Sequence, residues 1–224
     1  MPAERRRFIV LLAPLLIAGS FDCAAQQALE ERSLNAQLLE FAKRGEVERV
    51  RKVLDQGAAV NSRNRSGESA LFMFAKAGNE TMVELLLQRG ANADLADLHK
   101  STPLMAAAYG GHTSVVRRLI EAGADLNAGD QIDKTALLYA AVGGHLDIVQ
   151  VLLDLGIEVN ARYRHDTTAL MWAAGAGRAE VVKAMLARGA DPAPKDDRGM
   201  DAAAIARGAG HAELAQLIEQ ARGR

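Results

Sequence analysis

The stretch TPLMAAAYGGHTSVVRRLIEAGADLNA (Thr102–Ala128) returns, lightly edited, as TALLYAAVGGHLDIVQVLLDLGIEVNA (Thr135–Ala161). The offset is 33 residues, and it extends along most of the chain. One glycine register runs Gly57, Gly90, Gly123, Gly156, Gly189. A second runs Gly45, Gly78, Gly111, Gly144, Gly177, Gly210. A third register is Ser69, Thr102, Thr135, Thr168, Asp201. Three independent registers with one period identify a structural unit that is stacked, since a catalytic motif has no reason to recur.

Each unit has a direct physical reading. Thr102 is suited to accept a backbone N–H at a helix start, and Pro103 fits the first helical turn. Leu104, Ala107 and Ala108 share one helical face by their spacing, and recur as Leu137, Ala140, Ala141 and as Leu170, Ala173, Ala174. Alanine on that face lets neighbouring helices approach closely. TSVVRRLIEAG then reads as a second helix, with Val115, Val116, Leu119 and Ile120 inward and Gly123 as its stop. The segment ADLNAGDQIDK turns the chain back to the next unit.

Helix, turn, helix and hairpin loop in 33 residues resemble the ankyrin repeat. The resemblance covers roughly Leu34–Arg222 and includes the dipeptides Gly111-His112, Gly144-His145 and Gly210-His211. It implies an all-α solenoid of helix-turn-helix units joined by hairpin loops. Full units are expected at 64–96, 97–129, 130–162 and 163–195. An N-terminal cap is expected over 34–63 and a C-terminal cap over 196–222. The caps carry outward charged or polar residues, among them Glu40, Lys43, Arg44, Glu48, Arg207, Glu213 and Glu219, as the ends of a solenoid require. One feature departs from the family. Its signature histidine, three residues after the threonine, is replaced by Phe72, Met105, Leu138, Met171 and Ala204. Apolar contact is expected in its place.

Composition narrows the function. Hydrophobic residues make up 49% of the chain but aromatics only 4%, so alanine, leucine and valine carry the burial. A net charge of -1 argues against a general nucleic-acid binder. His112, His145 and His211 occupy one repeat position. Stacked helices stand about 8–10 Å apart, whereas zinc ligands lie about 2 Å from the ion. The histidines therefore read as braces of the helix turn, and no metal is expected. GAGRAE (Gly175–Glu180) and GAGHAE (Gly208–Glu213) lack the third glycine and the preceding strand of a dinucleotide site. Asp196 and Asp197 read as solvated turn residues. No cofactor and no catalytic constellation is expected, so the chain reads as a non-enzyme.

The first 25 residues follow a different grammar. Arg5–Arg7 precede the apolar run FIVLLAPLLIAG (Phe8–Gly19), and small residues close at Ala25. This is the layout of a secretory signal peptide, with a short linker over 26–33. The run is too short to span a bilayer, which takes about 20 residues. RRRFI resembles a twin-arginine signal, which leaves the export route open. Phe21 and Asp22 fit badly before a lipidated Cys23. Cleavage after Ala25 removes the single cysteine, and with it any disulfide.

The helices repeat while the loop tips vary: RSGE (65–68), LHKS (98–101), QIDK (131–134), RHDT (164–167) and DRGM (197–200). A second variable row, Met73, Ala106, Tyr139, Trp172 and Ile205, lies on the first helices, with Tyr109 nearby. The family resemblance implies that these positions line a concave partner-binding side. Leu170, Ala173 and Ala174 already supply the core stripe, so an indole at Trp172 is not required by the fold. The candidate strip is Tyr109, Tyr139 and Trp172, helped by Arg164 and His165. The expected function is an exported, monomeric scaffold binding a protein partner, periplasmic or secreted. A secreted effector acting on a host protein, and an accessory factor protecting a periplasmic enzyme, are the alternatives.

Overall fold

The computed structural model describes residues 29, 30 and 33–222. The signal-like segment 1–25 lies outside them. Residues 29 and 30 are helical, and helix α1 occupies 33–44. Pairs of helices follow: α2 Val47–Asp55; α3 Ala70–Lys76 and α4 Glu80–Gln88; α5 Pro103–Gly110 and α6 Thr113–Glu121. Then come α7 Ala136–Gly143 and α8 Leu146–Asp154; α9 Ala169–Gly175 and α10 Ala179–Ala187; α11 Ala202–Gly208 and α12 Ala212–Arg222. The described residues contain no strand. The first helices α3, α5, α7, α9 and α11 stack on one another, and α4, α6, α8, α10 and α12 form a second layer behind them. The chain is a helical repeat solenoid.

The core lies between the two layers and continues from unit to unit. Leu104, Ala107 and Ala108 are buried, as are their equivalents Leu137, Ala140, Ala141 and Leu170, Ala173, Ala174. Val115, Val116 and Leu119 close it from the second helix, while Ile120 is only partly covered. Phe72, Met105, Leu138 and Met171 are buried too, so apolar packing does take the place of the signature histidine.

The caps form as the threonine register predicts, with one exception. Ser69, Thr102 and Thr168 hydroxyls accept the N–H of Phe72, Met105 and Met171, and the Asp201 carboxylate accepts that of Ala204. Thr135 makes no such bond. Its hydroxyl lies 3.3 Å from the phenol of Tyr163 in the following loop.

The histidines brace adjacent units. Nε2 of His112 donates to the Lys76 carbonyl, and Nε2 of His145 to that of Tyr109 at 2.9 Å. Arg178 occupies the same register and donates to the Val142 carbonyl. The glycines beneath them are needed for clearance. A Cβ on Gly78 would stand 2.4 Å from the His112 ring, and one on Gly177 2.5 Å from that of His211.

Candidate functional site

The loops share a common design. The residue at the loop base folds back, and its side-chain oxygen accepts backbone N–H groups two and four residues ahead. Asn64, Asp97, Asp130 and Asp196 all do this. Each of these loops then turns through one left-handed residue: Gly67, Lys100, Asp133 or Gly199. Asp196 is accordingly buried, which corrects its reading as a solvated turn residue. The Met200 N–H, foremost, and then the Arg198 guanidinium at 2.7 Å hold its carboxyl below the usual range.

The fourth loop cannot follow this design, because Tyr163 stands where the others have Asp or Asn. A phenol is too long to fold back on its own loop. It is largely buried instead, which pushes its hydroxyl pKa upward. The loop closes through the Thr167 hydroxyl, which donates to the Arg164 carbonyl. It contains a short 3₁₀ turn, Arg164–Asp166. Two consecutive non-glycine residues, His165 (φ 62°) and Asp166 (φ 56°), are left-handed. Such backbone is costly for residues carrying a Cβ.

The change also interrupts the contact between loops. Leu98 N–H bonds to the Ser66 carbonyl, Gln131 N–H to His99, and Asp197 N–H to His165. No equivalent backbone bond joins the third and fourth loops among the described residues. Helix α9 likewise sits less closely on α7 than the other first helices do on their neighbours.

The five candidate residues fall on or beside this junction, in differing states. Tyr109 is 63% exposed and meets Tyr139 edge to face, with ring centroids 5.9 Å apart. Tyr139 is half-buried. Its hydroxyl donates to Asp130 Oδ2 at 2.6 Å, and burial together with that carboxylate pushes its pKa up. Trp172 is half-buried, and its Nε1 donates to the Thr167 hydroxyl at 3.0 Å. Lys134 Nζ lies over its ring, 4.4 Å from the centroid. The indole therefore ties the fourth loop to its own helix, a role that the core stripe alone does not reveal. Arg164 and His165 are exposed, and His165 Nδ1 is 2.7 Å from Asp197 Oδ2.

Trp172 divides two hollows. One, about 350 Å³, is lined by Val142, Met171, Gly175, Ala176 and Ile205, with Arg198 at its rim. The other, about 160 Å³, is lined by Ile132, Leu138, Tyr163, Lys134, Arg164 and His165. Thr167 and Trp172 belong to both. Ile132 and Lys134 were not among the sequence candidates. Both lie in the variable loop tip QIDK (131–134), but the repeat register does not distinguish them from the other loop-tip residues; their place beside Trp172 goes with the hollow next to Tyr163.

Among the described residues, no His, Cys, Asp or Glu cluster could hold a metal ion, and no helix is long and apolar enough to cross a membrane. None of the curated proteins compared with the chain matches it. The family model for ankyrin repeats (3 copies) matches residues 38–130, 90–163 and 128–196. These overlapping blocks cover well over half of the chain, so it belongs to the ankyrin-repeat family, a scaffold for protein–protein interaction.

Proposed function

We propose that this protein is an exported scaffold that captures a protein partner on its first-helix face, centred on Tyr109, Tyr139 and Trp172 with Arg164 and His165 at the rim. The observation that carries the proposal is a run of exposed apolar and aromatic groups on one side. Tyr109, Leu98 and Ile132 are all exposed; Tyr109 meets Tyr139, and Ile132 lines the smaller hollow beside Trp172. Aromatic side chains in partly enclosed positions dominate binding energy at interfaces. Export rests on the sequence of residues 1–25, which puts the mature start at Gln26 and the protein in the periplasm or outside the cell.

The test is capture of partners from the native compartment by tagged protein, quantified for wild type and for Tyr109→Ala with Trp172→Ala. Loss of about 2 kcal/mol or more in binding is expected. Because Trp172 also supports its loop, Tyr109→Ala alone is the second variant. Its ring is mostly exposed and loses only the edge contact with Tyr139, so its thermal midpoint should fall by at most a few degrees while capture weakens. Undiminished capture by both variants overturns the assignment of this face. N-terminal sequencing of protein from the native host checks the start at Gln26.

A further inference from the structure

The trough across Trp172 has a chemistry more specific than an apolar patch. Lys134, Arg164, His165 and Arg198 line its two hollows, and no carboxylate does. Two of the four already have acidic partners within the protein: Arg198 with Asp196 and His165 with Asp197. Lys134 and Arg164 enter no ion pair among the described residues; Lys134 has only the Trp172 ring beneath it. The protein as a whole has a net charge of -1, so this local cationic lining is not a general property of its surface.

A second observation concerns the backbone. The bonds Leu98 N–H to Ser66 and Gln131 N–H to His99 recur once per unit. Continued, they would join Arg164 N–H to the Ile132 carbonyl. That bond is absent, so a donor and an acceptor stand on either side of one gap without a protein partner among the described residues. An extended chain passing through the gap could bond to both. Extended peptides gain affinity in this way from an open backbone edge, and specificity from the side chains at alternate positions. Alternate side chains along an extended chain are roughly 7 Å apart, about the width of an aromatic ring with its contacts.

We infer that the trough across Trp172, from the third-unit loop to the C-terminal cap, takes an extended acidic segment of the partner, with an apolar residue followed two positions later by Asp or Glu. The apolar side chain fills the larger hollow against Met171, Ile205 and the Trp172 ring. The carboxylate lies on the other side of the ring, against Lys134 and Arg164. This inference rests on the partner-binding reading above and specifies the chemistry of what is bound.

Trp172 is the only tryptophan, so its emission reports directly on the trough. The probes are short Gly/Ser peptides carrying Leu, Met or Phe two positions before Asp or Glu. Controls replace the acid with Lys, or the apolar residue with Ser. At low salt, the probes should shift Trp172 emission saturably and bind at least about tenfold more tightly than either control, a preference that falls as salt is raised. Lys134→Glu with Arg164→Glu should abolish or invert the preference for acid over Lys. Arg164→Glu alone, at an exposed position, should weaken it. The inference is overturned if acid and Lys peptides bind alike, if no peptide gives a saturable change, or if the charge reversals leave the preference intact. If those results coincide with lost partner capture in Tyr109→Ala with Trp172→Ala, the binding face stands and only the acidic segment falls.

Discussion

Replacing Gly111 with Ala tests how one unit is fitted to the next. Gly111 has φ 75°, a backbone that costs a residue with a Cβ about 1–2 kcal/mol. Its added Cβ would also stand 2.6 Å from Cε1 and Nδ1 of His145, so the ring must shift. That shift strains the 2.9 Å bond to the Tyr109 carbonyl and adds an overpacking cost of about 1–3 kcal/mol. The total expected for Gly111→Ala is about 2–5 kcal/mol. Gly123→Ala is the internal control. It has φ 85° and nothing within 4 Å of its added Cβ, so only the backbone cost of about 1–2 kcal/mol should appear. In a His145→Ala background the clash disappears. The double variant should then be more stable than the summed single costs predict, by about 1–3 kcal/mol. Urea unfolding followed by far-ultraviolet circular dichroism supplies all four values. If Gly111→Ala costs no more than Gly123→Ala, or if the Gly111 and His145 costs simply add, the inter-unit clearance argument is wrong.

Two further outcomes follow from the loops and caps. Thr168→Ala should cost about 1 kcal/mol in urea unfolding through its lost helix cap, whereas Thr135→Ala should cost less, because the Thr135 hydroxyl caps nothing; equal costs would contradict this. Asp196 has a folded pKa below its unfolded value, so its stabilising contribution is complete above the ordinary value of about 3.9 and is lost as pH falls through the lower folded value. The gap in urea midpoint between wild type and Asp196→Asn should therefore narrow in that acid range, and a gap independent of pH would refute the assignment.

The parts of the fold legible in the sequence were those set within one unit. Ser69, Thr102, Thr168 and Asp201 cap helices because a short oxygen-bearing side chain at a helix start has few better bonds to make. The buried triplets at 104, 107, 108 and their equivalents follow from helical spacing. Features that depend on a neighbouring unit were harder to read. The clearance between Gly111 and His145 joins residues whose spacing gives no hint of which ring lies over which glycine. Asp196 departs from the sequence expectation because a loop carboxylate in isolation belongs in water. Only the repeated fold-back of Asn64, Asp97 and Asp130 shows that this carboxylate is enclosed by its own loop. The site was half legible: the aromatic residues stand out by type and register, but Ile132 and Lys134 do not.

A signal for the junction was nevertheless present in the sequence, in the register Asn64, Asp97, Asp130, Tyr163, Asp196. One member cannot do what the others do. Its consequences spread in a fixed order. The phenol leaves its own loop and meets Thr135, and Thr135 does not cap its helix. The fourth loop, lacking a folded-back carboxylate, turns through His165 and Asp166 in left-handed conformations and makes no backbone bond to the third. Each of these changes works against stability, through a lost cap, a costly backbone and a broken ladder. They are concentrated at the one junction where Trp172, Tyr139 and two cations without carboxylate partners also meet. A repeat array that served only to stack would gain from Asp at position 163. A residue that opens the stack, beside aromatic side chains suited to bind, is the physical reason for proposing that partner binding centres on this junction and not on the array as a whole.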